Sequence, residues 1–178
     1  PYWVYTDLEI YRREQERVFA GTGWAYVGLE AECSEPGDWK RTQIGERPVF
    51  ALRADDGSLR VFENRCAHRG VQLCRETFGR ARELVCPYHQ WTYDLRGRLI
   101  GVPFRRGLRG RGGMPPAFSL EANGLTKLRT HLRHGVVFAS FAESPPDFED
   151  WLGASMLHYF DRVFDGRALR VLGYARQL

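Results

Sequence analysis

Two short segments, Cys66-Ala67-His68 and Cys86-Pro87-Tyr88-His89, each carry one cysteine and one histidine at a spacing that no packing pattern requires. Brought face to face, they present two sulfurs and two imidazole nitrogens to a common region, which is a metal-ligand set. The rest of the chain must therefore fold so as to hold two loops in opposition. A closed tetrahedral zinc site is the commonest structural reading of two Cys and two His, but zinc fingers usually pair Cys with Cys and His with His on separate loops. Here each loop mixes the types. That mixture suits a [2Fe–2S] cluster in which two His replace two Cys on one iron, so that both sulfurs face one iron and both imidazoles the other. Zinc stays open as the rival.

Bulk properties bound what surrounds these loops. The 178 residues suffice for one full domain and part of a second. Hydrophobic residues make up 43% and charged residues 27%, the balance of a globular chain rather than a disordered or membrane one. The longest apolar run, residues 136–142, is interrupted by Ser140 and is too short to span a bilayer. With no signal peptide at its start and Pro1 as first residue, the chain is expected to begin inside a longer protein. Two of the four cysteines are used as ligands; Cys33 and Cys74 read as unpaired thiols in a reducing compartment, so the expected location is the cytoplasm. A net charge of +4 is too small to demand nucleic acid and favours an acidic protein partner.

Along the chain, Thr6 with Glu9 reads as a capping box, and Leu8, Tyr11, Val18 and Phe19 recur at helical spacing, predicting a helix from Asp7 to Ala20. Short strands are expected over residues 24–29, 39–44, 48–53, 60–64, 83–85, 91–94, 99–101, 126–131 and 136–140. Turns are expected at Asp56-Gly57, Arg96-Gly97 and His134-Gly135. Many short strands with glycine turns argue for a mainly β fold, an antiparallel sandwich or barrel, with the ligand loops at the tips of adjacent hairpins. After Pro145-Pro146, Asp147 opens an amphipathic helix running to about Gly166, and residues 170–178 read as a last strand. This divides the chain into an N-terminal helix (1–22), a cluster domain (23–144) and a connector (145–178). The Arg/Gly-rich stretch 105–113 lacks aromatic residues to stack on bases, so it reads as a solvated loop or a docking patch for an acidic electron donor rather than an RNA site.

The ligand positions resemble the Rieske iron–sulfur family, whose pattern is C-x-H, a spacer of this length, then C-x-x-H. The resemblance assigns the cluster to Cys66, His68, Cys86 and His89. The flanking N-R-C-A-H-R-G from Asn64, C-P-Y-H-Q-W-T-Y-D from Cys86, and G-x-x-x-G-V-P ending at Pro103 look like the N-terminal domain of ring-hydroxylating oxygenase α subunits. The helix segment Y-x-x-E-Q-E-R-V-F from Tyr11 does so too. Gln90 and the segments G-V-P-F-R-R-G and G-G-M-P resemble the salicylate hydroxylase and anthranilate dioxygenase branch.

The resemblance carries expectations. High-potential respiratory members have an extra disulfide-bonded Cys on each loop and a Ser donating to a cluster sulfur. Val71, Tyr88 and Trp91 stand at those positions here. Fewer donors to sulfur imply a potential at the low end of the Rieske range, on the order of −150 mV. Arg69, Tyr88 and Trp91 are the expected surroundings of the ligands, and His89 the electron exit. In the family, electrons come from a ferredoxin or reductase and pass to a mononuclear Fe(II) in a catalytic domain, usually of a neighbouring α subunit in a trimer, with or without β subunits. That iron needs two His and a carboxylate. His131, His134 and His158 offer no such set, so the chain is expected to be an electron-relay fragment ending where the catalytic domain begins, with an aromatic carboxylate as the expected substrate of the whole enzyme. A stand-alone Rieske ferredoxin and a zinc-binding interaction module are the rival readings.

Overall fold

The residue that best explains the architecture is the apolar run in Arg47–Arg53. An uninterrupted Pro-Val-Phe-Ala-Leu run suits a strand covered on both faces, and the computed structural model, which describes residues 1–109 and 111–174, places it at the centre of the molecule. The strands are β1 (Ala25–Leu29), β2 (Asp38–Ile44), β3 (Arg47–Arg53), β4 (Leu59–Glu63), β5 (Phe78–Arg80), β6 (Leu84–Val85), β7 (Thr92–Tyr93), β8 (Leu99–Gly101), β9 (Arg129–Arg133) and β10 (Val136–Ser140). They form three antiparallel sheets with orders β1-β10-β9, β4-β3-β2-β5 and β6-β7-β8. No barrel is closed among the described residues, which settles the sandwich-or-barrel expectation for stacked sheets.

Period-two alternation along β3 sends Val49 and Ala51 to one face and Phe50 and Leu52 to the other. Val49 and Ala51 meet Val27, Val61, Val137 and Ala139 in a core shared with the β1-β10-β9 sheet. Phe50 and Leu52 meet Phe62, Leu84, Trp91, Tyr93 and Leu99, together with Cys66, Cys74 and Cys86, in a second core under the ligand loops. β10 is likewise buried on both faces: Val136 and Phe138 point outward onto Phe148, Leu157 and Phe160 of the C-terminal helices. The layers are thus helices, sheet, central sheet and ligand-bearing sheet.

The N-terminal helix α1 (Leu8–Glu14) is capped by Asp7, whose carboxylate accepts from the Glu9 and Ile10 amides at 2.8 and 3.0 Å. Thr6 is therefore not the cap; its hydroxyl donates to the Trp3 carbonyl instead. The helix continues to Phe19 as a π-helical turn rather than as regular α-helix. Tyr11 donates to Glu46 at 2.7 Å and the Gln15 side chain accepts from the Glu46 amide at 2.9 Å, fixing this helix to the β2–β3 turn.

The helix expected from Asp147 to Gly166 is two helices, α2 (Phe148–Leu152) and α3 (Ala154–Val163), broken where Gly153 takes φ 76°. Asp147 caps α2. Arg133 at the end of β9 clasps both, bonding Asp161 at 2.9 and 2.7 Å and Glu149 at 2.9 Å. The strand expected over 126–131 starts three residues later, at Arg129, and closes on β10 through His134-Gly135, both at positive φ as a two-residue hairpin turn requires. Residues 170–174 form no strand, and 175–178 lie outside the described residues.

The β5 strand was not expected: three residues around a glycine give no periodic signal. It forms because Asp38–Lys40 of β2 present a free edge, and Arg80 pairs with Asp38 across it at 2.6 Å. Gly79 is obligatory there, since the Trp39 ring lies 2.5 Å from where a Cβ would stand.

Candidate metal centre

The two ligand loops are built to one plan. In the first, the Cys66 amide donates to the Val71 carbonyl (2.8 Å) and the Gly70 amide to the Cys66 carbonyl (2.8 Å). The second repeats this, Cys86 to Trp91 (2.8 Å) and Gln90 to Cys86 (2.9 Å). The fifth residue of each loop turns through the left-handed region, Gly70 at φ 70° and Gln90 at φ 55°. Only the second loop is a hairpin tip, between paired strands β6 and β7. The first follows β4, whose partner is β3, so the expectation of two adjacent hairpins is corrected. In place of a partner strand, the fully buried Asn64 side chain pins the first loop. Its amide donates to the Cys74 carbonyl (2.7 Å) while its oxygen accepts from the Leu73 and Cys74 amides (2.9 and 3.0 Å).

The loops bring all four expected ligand residues together. Cys66 and Cys86 are buried. The His68 and His89 rings lie 4.7 Å apart, centre to centre, at 66°. The Nδ1 atoms of both rings are buried without any hydrogen-bond partner. Buried polar nitrogens are seldom left so, because each orphaned group costs about 1–3 kcal/mol. Two in one place point to ligands for a metal. Two sulfurs and two nitrogens suit a two-iron cluster, one pair for each iron.

Electrostatics act in opposite directions on the thiol and the imidazole, opposing the thiolate and favouring the neutral ring. Burial and the adjacent Cys86 sulfur raise the Cys66 thiol above its ordinary pKa, opposed by hydrogen bonds from the Tyr93 hydroxyl and the His68 amide. Burial, then the neighbouring His89 and Arg69, lower the His68 pKa and so favour the neutral, ligating imidazole. Cys33 and Cys74 are free and buried, with thiols pushed up to about 12 by burial, and are inert structural residues.

Around the ligands, Trp91 stacks on His68 (4.6 Å, 8°) and is backed edge-on by Phe118. Tyr88 lies over His89 at 3.7 Å and is exposed. Arg69 is exposed beside His68. Two residues that carry the site were not singled out from sequence: Asn64, and Tyr93, whose hydroxyl lies 3.2 Å from Cys66 Sγ and accepts from the Ala67 amide at 3.1 Å. Both fall inside the motif segments, which was the available signal.

The sequence pattern of the Rieske [2Fe–2S] domain matches residues 23–111, half of the chain, a span that includes Cys66, His68, Cys86 and His89. The chain belongs to the Rieske family. It is 56% identical to the large oxygenase component of salicylate 5-hydroxylase from Ralstonia sp, over 99% of this chain and 43% of that one. It is 46% identical to the anthranilate 1,2-dioxygenase large subunit of Burkholderia cepacia, over 99% of this chain and 42% of the other. Among solved structures, naphthalene 1,2-dioxygenase from Rhodococcus sp. superposes with a TM-score of 0.82 at 32% identity, covering 94% of this chain and 37% of that chain. This Rieske chain therefore spans about two fifths of the length of the relatives it matches.

Among the described residues the remaining histidines join no group of three or more side chains that could hold a metal ion. His131 stacks on Phe148 (4.1 Å, 12°), His134 pairs with Asp161 at 3.3 Å, and His158 lies against Tyr159.

Proposed function

We propose that this Rieske domain is the one-electron relay of an aromatic ring-hydroxylating oxygenase α subunit, with Cys66, Cys86, His68 and His89 as cluster ligands. The observation that carries the reading is the pair of orphaned, buried Nδ1 atoms beside two buried sulfurs. When bound, a Rieske cluster supplies reversible one-electron transfer. The chain's own residues set its surroundings. The two loops hold the sulfurs inside and the imidazoles outward. Trp91 excludes water from one side of His68. Tyr93 satisfies a sulfur lone pair. Val71 and Tyr88 leave the loops free of any bridging disulfide, which supports a low potential within the Rieske range.

The identity to the salicylate and anthranilate oxygenase components supports an aromatic carboxylate as substrate of the whole enzyme, and the net charge of +4 favours an acidic ferredoxin or reductase as donor. In this reading His89 faces the acceptor, a mononuclear iron held by a catalytic domain of a neighbouring α subunit. Residues 1–22 are then an anchoring helix, 23–144 the cluster domain and 145–178 the connector. A cytoplasmic location fits this role, and no helix among the described residues is long and apolar enough to cross a membrane.

The test uses the 178-residue chain with reconstituted iron and sulfide. It should take up one electron per chain from dithionite, and with donor and O₂ it should hydroxylate no aromatic acid. Either an inability to take up the electron or turnover by this chain alone would contradict the assignment.

A further inference from the structure

After α3 the chain crosses the cluster domain without forming a strand, and two sets of contacts hold residues 166–174 against it. At the start, a Cβ on Gly166 would lie 3.2 Å from His134 Nδ1, and one on Gly135 would lie 3.2 Å from Leu169 Cδ1. At the end, the Tyr174 ring stacks on Phe78 of β5 (5.7 Å, 17°) and Lys40 Nζ of β2 lies 5.9 Å from its centre. The Tyr174 hydroxyl donates to the Glu32 carboxylate at 2.9 Å. Two open clefts, of about 370 and 420 Å³ and both bordered by Ala31, lie between this strap and the domain. Among the described residues the bond from Tyr174 to Glu32 is the one hydrogen bond that ties residues 165–174 to the cluster domain. Its acceptor is itself held. The Glu32 side chain is only 4% exposed, pairs with Lys40 at 2.5 Å and accepts from the Leu29 amide at 2.8 Å. Phe78, the other half of the grip, belongs to the strand that lies between the two ligand loops in the chain.

We propose that Tyr174 is a positioning residue: by clasping the connector to Glu32 and Phe78, it fixes the direction in which the chain leaves the cluster domain, and with it where His89 stands relative to the acceptor iron. This rests on the relay reading, in which the connector leads to the catalytic domain and the iron is held by a neighbouring subunit. A segment with no backbone bonds to its support opens readily once its side-chain anchor is gone. A misplacement of about 1 Å between reacting partners can slow a step by on the order of a hundredfold. Tyr174 touches neither the ligands nor the loops that carry them, so its loss should leave the cluster's affinity for an electron as it was.

The test has two arms. In the 178-residue chain with its cluster reconstituted, amide exchange of residues 166–174 and tryptic cleavage after Arg170 report the clasp. Tyr174→Ala should raise both by about fivefold or more, and Tyr174→Phe, which keeps the stack and loses the hydrogen bond, should raise them less. Leu172→Ala, in the same strap but at a side chain 89% exposed, should change either by less than about twofold. In the full-length α subunit with the same substitutions, stopped flow follows reoxidation of the dithionite-reduced cluster by O₂ with salicylate or anthranilate present. Tyr174→Ala should slow it by about fivefold or more, Tyr174→Phe should fall between that variant and the parent, and the midpoint potential of every variant should match the parent's. Unchanged exchange and cleavage in Tyr174→Ala would overturn the clasp. A loosened strap with parental reoxidation would overturn the positioning role, and so would a shifted potential, which would place Tyr174 among the residues that tune the cluster. If the parent subunit's reduced cluster is reoxidised no faster than that of the 178-residue chain, the relay reading itself fails, and the positioning role with it.

Discussion

Replacing Tyr93 by Phe removes one oxygen atom from a fully buried ring and leaves the core shape intact. The direction of the Tyr93 hydrogen bond follows from the ligand role of Cys66. As a cluster ligand Cys66 is a thiolate with no proton to give, so the Tyr93 hydroxyl is the donor across the 3.2 Å contact while its oxygen accepts from the Ala67 amide at 3.1 Å. A hydrogen bond to a charged acceptor contributes about 1.5–3 kcal/mol. Reduction places further negative charge on the centre, so the bond stabilises the reduced form more than the oxidised form. If about half of its strength is differential, the bond favours reduction by ~0.8–1.5 kcal/mol. At 59 mV per 1.4 kcal/mol for one electron, the potential of Tyr93→Phe should fall by roughly 30–65 mV. Potentiometric titration followed by circular dichroism measures it, with thermal unfolding as a check that the variant is folded. A potential unchanged within about 10 mV, or one that rises, would show that the hydroxyl does not donate to the sulfur, since each tenfold change in the couple is 59 mV.

Three further outcomes follow from the same geometry. Stripping iron with a chelator leaves two buried imidazole nitrogens unpartnered at about 1–3 kcal/mol each, so the melting temperature should drop by ~10 °C, read by differential scanning calorimetry. Gln90→Gly should stabilise the second loop by about 0.5–1 kcal/mol, because Gln90 holds φ 55° that glycine adopts without strain. Gly70→Ala at φ 70° should destabilise by ~1 kcal/mol, and denaturant titration separates the two. The Asp161 carboxyl is held below its ordinary pKa, chiefly by its hydrogen bond to Arg133. A depressed native pKa gives stability that is present above the unfolded value of about 4 and lost as pH falls through the folded one. Amide exchange of α3 should therefore accelerate below about pH 4 in the parent, and much less so in Asp161→Asn.

What could be read from sequence was what chemistry forces. A [2Fe–2S] centre admits few residue types at few spacings, so the sequence singles out Cys66, His68, Cys86 and His89 as candidates, and the antiparallel sheets followed from short alternating runs and glycine turns. Helix caps were less secure: Thr6 and Asp7 both precede the same helix, and only the geometry shows Asp7 reaching the Glu9 and Ile10 amides. The break at Gly153 was hidden because apolar periodicity runs through it from Trp151 to Met156. β5 owes its existence to an edge offered by β2, which no local pattern encodes. Asn64 and Tyr93 had motif positions but no visible role, since each acts on a residue that only the tertiary fold brings near. Tyr93 also amends the reasoning about potential. The Ser position is Trp91, yet one hydroxyl donor to sulfur remains, so Tyr93 offsets part of the lowering expected from the other positions.

The central claim is that opposed loops give one Cys and one His each to a two-iron cluster. Electron paramagnetic resonance of the dithionite-reduced chain, with nitrogen couplings resolved by electron–nuclear double resonance in ¹⁵N-histidine-labelled protein, tests it directly. The account predicts a rhombic one-electron signal with two inequivalent histidine nitrogens coupled to it, both lost in His68→Ala with His89→Ala. A reduced chain without a paramagnetic signal, or a signal lacking histidine coupling, would contradict it.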